Sequence, residues 1–245
     1  MIKEIFEHRS IRKFKSDPIP ENILNQILEA AIRASNTGNM QVYSIVVTTD
    51  PEIKEQLSPA HFNQAMVKQA PVLLTFCADF NRFNKWCRLR NAKPGYDNFL
   101  SFLTAAIDAV IAAQNACLEA EHHGCGICYL GTAIYNPDKI IDILNLPEGV
   151  VPITAVAMGY PDENPPLTDR LPQRAVVHKE KYQDYTDEEI DELYRVKENN
   201  PEYIKFVKEN NKETLAQVFT DVRYTKANNE HFSKVLLDVL KKQGF

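Results

Sequence analysis

The chain has 245 residues, 44% of them hydrophobic and 25% charged, with a net charge of −5. That balance excludes a disordered or fibrous polymer and fits one large domain, or a domain with an appendage. The acidic surplus excludes a nucleic-acid partner, which needs a basic surface, so any bound anion is expected to be small and met by a few placed residues.

The opening MIKEIFEHRS is charged and amphipathic, without an apolar h-region, so no signal peptide is read there and a cytoplasmic protein is expected. Residues 2–8 show a short helical pattern that ends at His8-Arg9-Ser10. Pro18 and Pro20 mark a turn, after which Ile23, Ile27, Ala30 and Ala31 fall on one helical face. SNTGNMQ (35–41) is a polar loop, and 43–49, rich in β-branched residues, reads as a strand. Short helices are expected over 52–57 and 63–69, then PVLLTFCA (71–78) forms a buried strand. Residues 98–123 make a long central helix. Asp108, Gln114 and Asn115 interrupt its apolar run, which favours a core helix over a membrane span. GCGICYLG (124–131) turns back with a strand-like centre, 137–144 is helical, and VVPITAVAMG (150–159) is another buried strand. The proline-rich 161–172 is a surface loop.

From Thr186 the chain becomes strongly charged, and Asn-Asn pairs at 199–200, 210–211 and 228–229 separate amphipathic stretches. Their apolar stripes are too thin for an independent core. The expected division is therefore 1–185 as the main domain and 186–245 as a helical C-terminal extension. Periodicity alone leaves the class open between an α/β and an α+β sandwich.

Three clusters carry chemistry. His8-Arg9-Ser10-Ile11-Arg12 puts two guanidiniums, a hydroxyl and an imidazole within five residues. Guanidinium forks suit phosphate oxygens, although a solvated basic turn is the plainer reading. SNTGNMQ offers amides and a hydroxyl to a polyol or heterocycle edge, or simply connects a helix to a strand. The glycines of GCGICYLG let backbone N–H groups approach a flat ligand, or cap a helix and lead into a core strand.

Cys125 and Cys128 form a CxxC, with Cys117, His122 and His123 nearby. A thiol redox pair wants its first cysteine at a helix N-terminus. This one follows a C-terminus, where the dipole opposes a thiolate. The spacing matches no standard zinc knuckles, so no metal is expected.

Taken in order, HRSIRKF (8–14), SNTGNMQ, CADFNR (77–82), AAQNACLEAEHHGCGICYLG (112–131), MGYPDENPPLTDRLPQRAVVH (158–178) and KKQGF (241–245) resemble the FMN-dependent nitroreductase family. The likeness is to its larger branch, the oxygen-insensitive NADPH nitroreductases and NADPH-flavin oxidoreductases, and runs over essentially the whole chain. It implies an α+β sandwich with a mainly antiparallel central sheet flanked by helices. It also implies a homodimer built on the 98–123 helix, with FMN at the subunit interface.

By the same resemblance His8, Ser10 and Arg170 meet the phosphate, with Arg9 close by. Arg12 lies near the pyrimidine edge, where a cation favours the reduced flavin. Leu130 and Gly131 present backbone N–H groups to N5 and O4. Asn36, Thr37 and Gln41 come from the partner chain, and Gln64 reaches the ring edge. Hydride then passes from NADPH or NADH to the flavin, and electrons go on to nitroaromatic, quinone or flavin acceptors by ping-pong exchange. No side chain is catalytic in its own right.

Some relatives carry a basic residue two positions before the phosphate arginine. Here Thr168 stands there beside Asp169, so looser FMN binding is expected. For the NADPH phosphate, Lys205, Lys208, Lys212, Arg223 and Lys226 alternate with glutamates, a pattern typical of a solvated face. Arg223, with Lys208, is the candidate. A flavin-binding sensor or carrier without turnover is the alternative, and a CxxC thiol-redox or metal protein a remoter one.

Overall fold

The computed structural model describes residues 1–245. These form two compact units, Met1–Pro166 with Phe232–Phe245, and Leu167–His231. The division thus lies upstream of the compositional change at residue 186.

In the first unit the elements are α1 (Lys3–Glu7), α2 (Glu21–Ile32), β1 (Tyr43–Thr48), α3 (Pro51–Leu57), α4 (Ala65–Gln69), β2 (Val72–Asp79), α5 (Asn81–Leu89), α6 (Phe99–His122), β3 (Gly126–Leu130), α7 (Pro137–Leu144) and β4 (Val150–Gly159). The four strands make one sheet in the order β1-β2-β4-β3, every pairing antiparallel. The expected α+β sandwich with an antiparallel centre is what forms.

The central strands explain their own composition. All eight positions of β2 are buried, because both faces of the sheet are covered. Leu74, Phe76, Val156 and Met158 pack on one face against α2 and α6. Leu73, Ala155 and Ala157, one residue out of step, pack on the other with Leu57, Val67 and Ile140 from α3, α4 and α7.

Helix α6 starts at an Asn98 side-chain cap and sorts its residues by size. Ala105, Ala109, Ala112, Ala113, Ala116 and Ala120 are fully buried, which lets the helix lie close on the sheet and α2. A larger side chain in that seam would cost about 1–3 kcal/mol in overpacking. The large aliphatic residues point outward instead: Leu100 is 72%, Leu103 44% and Ile107 51% exposed. By length and composition the helix could cross a membrane, yet its alanine face belongs to the core.

Helix α5 was not anticipated. NRFNKWCRL buries only Cys87, so its apolar signal is slight.

The second unit contains α8 (Asp187–Glu198), α9 (Pro201–Glu209), α10 (Leu215–Val218) and a π-turn at Phe219–Arg223. Capping boxes at Thr186/Glu189 and Thr214/Gln217 open α8 and α10, and Asn200 with Pro201 opens α9. The Asn pairs at 199–200 and 210–211 do separate helices. The pair at 228–229 does not: it lies in the first turn of α11 (Lys226–Lys242), through which the chain returns to the first unit. There the Asn228 amide bonds to Thr225 Oγ1 at 3.2 Å and Asn229 Nδ2 to the Tyr224 carbonyl at 3.2 Å, so the pair satisfies a helix start rather than breaking a helix.

Candidate functional site

The HRSIR segment leaves α1 at His8 and runs beside β3. Ser10 bridges to Ile127 in parallel, and the Ile11 amide donates to the Ile127 carbonyl at 2.9 Å. Ile11 then presses on Gly126, where an added Cβ would sit 2.5 Å from Ile11 Cγ1. Gly126 is thus a packing requirement, not a ligand contact. Gly124, at φ +76°, ends α6 in the left-handed region. Of the three glycines Gly131 alone pairs an ordinary φ with open space: a Cβ there would meet nothing within 4 Å.

Because the segment is extended, its side chains alternate. Arg9 and Ile11 line a cavity of 480 Å³ shared with Glu4, Glu7, Glu121 and Glu163, which His8, Ser10 and Arg12 do not line. Arg9 Nε is buried without a partner. The Arg12 and Lys13 amides donate to Glu163 Oε1 at 2.5 and 3.1 Å, which fixes the backbone, while the Arg12 side chain is exposed and in no ion pair. His8 Nδ1 bonds to Glu121 Oε1 at 2.6 Å.

At the far end of β3, Leu130 is buried and Gly131–Ile134 form a 3-10 turn. His61, fully buried, bonds through Nδ1 to Thr132 Oγ1 at 2.8 Å. Burial holds its imidazole down to about 4. Gln64 Nε2 donates to the His61 carbonyl at 3.1 Å, so Gln64 is tied to the Gly131 turn through one residue. Strand β3 thus has the HRSIR segment beside its start and, past its end, the Gly131 turn tied through His61 to Gln64, and these make a first, strand-centred group.

Asn36, Thr37 and Gln41 form a second group, with no hydrogen bond to the first. Gly38, Asn39 and Gln41 all have positive φ, a strained sequence of turns. Two side chains hold it. Asp108, 1% exposed in mid-α6, accepts from the Thr37 amide at 3.0 Å and its hydroxyl at 3.1 Å. Arg82 donates to the Gln41 carbonyl and, at 3.1 Å, to that of Tyr43. Asn36 Oδ1 accepts from the Gln41 amide at 3.3 Å.

Asp108, Arg82, Glu121 and His61 were not among the expected site residues. The one sequence signal was Asp108 itself, a carboxylate interrupting an apolar helix.

In the second unit, Arg170 Nη1 bonds to Thr168 Oγ1 at 2.8 Å and to the Asp169 carbonyl at 3.0 Å. The Asp169 carboxylate, held below its usual range by its bond with Lys197, pairs with Lys197 Nζ at 2.8 Å and accepts from Tyr203 at 2.8 Å. Among the tail cations, Lys205, Lys212 and Lys226 pair with Glu209, Asp221 and Glu230. Lys208 and Arg223 enter no ion pair, and Arg223 lies 4.9 Å over the Phe206 ring.

The CxxC is resolved by the pleat. Cys125 belongs to the core on one face of the sheet and Cys128 to the core on the other. Burial pushes the Cys125 thiol up to about 11 and that of Cys128 upward as well. Two inert thiols on opposite faces make no redox pair.

The profile of the Nitroreductase family matches residues 5–160. The chain belongs to the Nitroreductase family. It is 33% identical to the FMN reductase [NAD(P)H] of Bacillus subtilis (strain 168), over 100% of this chain and 97% of that protein. Its fold matches a crystal structure from Bacteroides fragilis NCTC 9343 with a TM-score of 0.97 and 58% identity, over 98% of each chain. It also matches the NADPH:FMN oxidoreductase of Vibrio harveyi complexed with NAD+ (TM-score 0.77, 31% identity, 89% of this chain and 94% of that one).

Proposed function

We infer that this nitroreductase-family chain is an FMN-dependent oxidoreductase driven by NAD(P)H. One observation carries the reading: a single strand, β3, anchors the HRSIR segment at one end and opens at Gly131 on the other. Phosphate-seeking groups and an unobstructed backbone edge thereby stand on one rigid element. That fits a cofactor with an anionic tail and a flat ring.

His8 and Ser10 hold the phosphate, and Arg12 sets a free cation at the ring's pyrimidine edge. The Leu130 and Gly131 amides face N5 and O4, with Gln64 beside them. Bound FMN supplies two-electron exchange with a nicotinamide and then a small acceptor, nitroaromatic, quinone or flavin, by ping-pong turnover. The side chains position and tune; none attacks the substrate.

The chain acts as a homodimer. Leu100, Leu103, Ile107 and Ile111 make an exposed apolar stripe along α6, a surface that a monomer would have to leave in water. The second copy's Asn36, Thr37 and Gln41 complete the site, in keeping with their separation from the strand-centred group within one chain. Lys208 and Arg223, which enter no ion pair, receive the NADPH 2′-phosphate.

The test is anaerobic. Purified protein should be yellow, release FMN on denaturation, and bleach with NADPH faster than with NADH. Arg12→Ala should slow that bleaching more than Arg170→Ala, and Arg223→Ala should erase the preference for NADPH. A colourless protein that ignores added FMN overturns the reading, and a yellow one that no nicotinamide bleaches is a flavin carrier.

A further inference from the structure

Three carboxylate–imidazole pairs gather where α6 ends, and they are not alike. His122 with Glu4 (3.1 Å) is a surface pair, its imidazole 67% exposed. His123 with Glu119 (3.1 Å) closes a single helical turn. Glu121 is different: only 13% of its side chain is exposed, and it reaches across 113 residues of sequence to His8 Nδ1 at 2.6 Å.

The surroundings sharpen the point. Lys3, Glu4, Glu7, Arg9 and His122 line the same cavity as Glu121. Burial pushes the Glu121 carboxyl up, the bond and charge of His8 work against that, and the Glu4 charge adds to the rise. His8 is thus what steadies a carboxylate in a poor place for one. A bond at this cost to α6 has a use if the ring must be held in one orientation.

We propose that Glu121 is a positioning residue for the cofactor phosphate: it accepts from His8 Nδ1–H and so fixes the ring with Nε2–H as the donor left for the phosphate. A phosphate oxygen accepts and does not donate, so the ring must offer it an N–H. With Nδ1 turned to Glu121, Nε2 is the ring nitrogen left to face the phosphate, and the ring then donates to an anion on either side. The same logic governs carboxylates that stand behind ligand imidazoles elsewhere, where the far partner sets tautomer and angle. The inference rests on His8 as a phosphate ligand.

Riboflavin, which lacks the phosphate, separates this role from a structural one. FMN and riboflavin are titrated into deflavinated full-length protein by fluorescence quenching, for the wild type, His8→Ala, Glu121→Ala and the double variant. Glu121→Ala should raise the FMN Kd about tenfold, the scale on which such supporting partners act. Riboflavin binding should stay unchanged, and the double variant should bind FMN no worse than His8→Ala alone. If circular dichroism shows Glu121→Ala unfolded, Glu121→Gln takes its place with the same pattern at about threefold, since an uncharged acceptor makes a bond roughly half as strong.

Equal losses for FMN and riboflavin, additive losses in the double variant, or no loss at all overturn the proposal. His8→Ala that leaves the FMN-to-riboflavin ratio untouched overturns instead the phosphate reading of His8.

Discussion

Thr37 gives both its amide and its hydroxyl to one buried carboxylate, that of Asp108, at 3.0 and 3.1 Å. A loop with three positive-φ residues is thereby pinned to the middle of the longest helix. Asp108→Ala leaves the Thr37 donors without an acceptor and should cost on the order of 1–3 kcal/mol, read as a lower urea midpoint at matched protein concentration. Asp108→Asn, which keeps an acceptor oxygen, should cost less. If Asp108→Ala melts with the wild type and the Thr37 amide stays protected from exchange, the pin is unimportant.

The glycines at 126 and 131 should part company under the same substitution. Gly126→Ala forces a Cβ to 2.5 Å from Ile11 Cγ1 and 2.8 Å from its Cβ. A branched, buried side chain cannot retreat, so about 1–3 kcal/mol of stability should be lost. Gly131→Ala meets nothing and should fold within about 0.5 kcal/mol of the wild type, as unhindered surface changes do. It should nonetheless lose flavin, because the methyl group stands where the ring approaches. Thermal melts of the deflavinated proteins beside flavin content per chain measure both. A Gly131→Ala protein that keeps its FMN removes the ring from that edge.

His61 makes stability depend on pH with a definite sign. Its folded value, about 4, lies below the ordinary histidine range, so the unfolded chain takes up the proton first. The contribution is complete above about pH 6.5 and drains away as pH falls toward 4, by about 3 kcal/mol at most. Urea titrations at pH 7 and pH 4.5 should show a smaller drop for His61→Gln than for the wild type. Equal drops would mean that the imidazole protonates in the folded protein without penalty.

Sedimentation tests the outer stripe of α6. Ile107→Glu puts a charge in the middle of that stripe without touching the alanine seam, so the fold should survive while association fails. The variant should sediment as a monomer and lose FMN, since the loop of the second copy goes with the dimer. An Ile107→Glu dimer would move the interface elsewhere.

What the sequence disclosed follows from where its signals are local. All four strands declare themselves, because a run such as VVPITAVAMG is apolar on both faces and can sit only inside. The Asn98 start of α6 is equally legible. Helix α5 is hidden because charged and amide side chains outnumber its apolar ones and only Cys87 is buried. The candidate site residues read from sequence, His8, Arg12 and Gly131 among them, lie in short contiguous clusters.

Their hydrogen-bond partners come from afar. Glu121 lies 113 residues from His8, Asp108 lies 71 from Thr37, and Arg82 lies 41 from Gln41. No local pattern encodes such distances; only the packing of α6 and the sheet order create them. Gly126 agrees with the other reading of the glycine-rich run, a lead into a core strand, since its neighbour is Ile11.

Ile127, the bridge partner of Ser10, and Gly131 are four residue steps apart, about 13 Å of extended chain. Strand β3 therefore works as a ruler whose length is counted in residues. Substitutions among its apolar letters leave that length alone. One inserted or deleted residue changes it by about 3.3 Å and turns every following side chain to the other face. Between its two glycines this stretch bears a change of apolar letter more easily than a change of length, and on the cofactor placement proposed above the loss of one residue here would break the match between the tail and the ring in a single step.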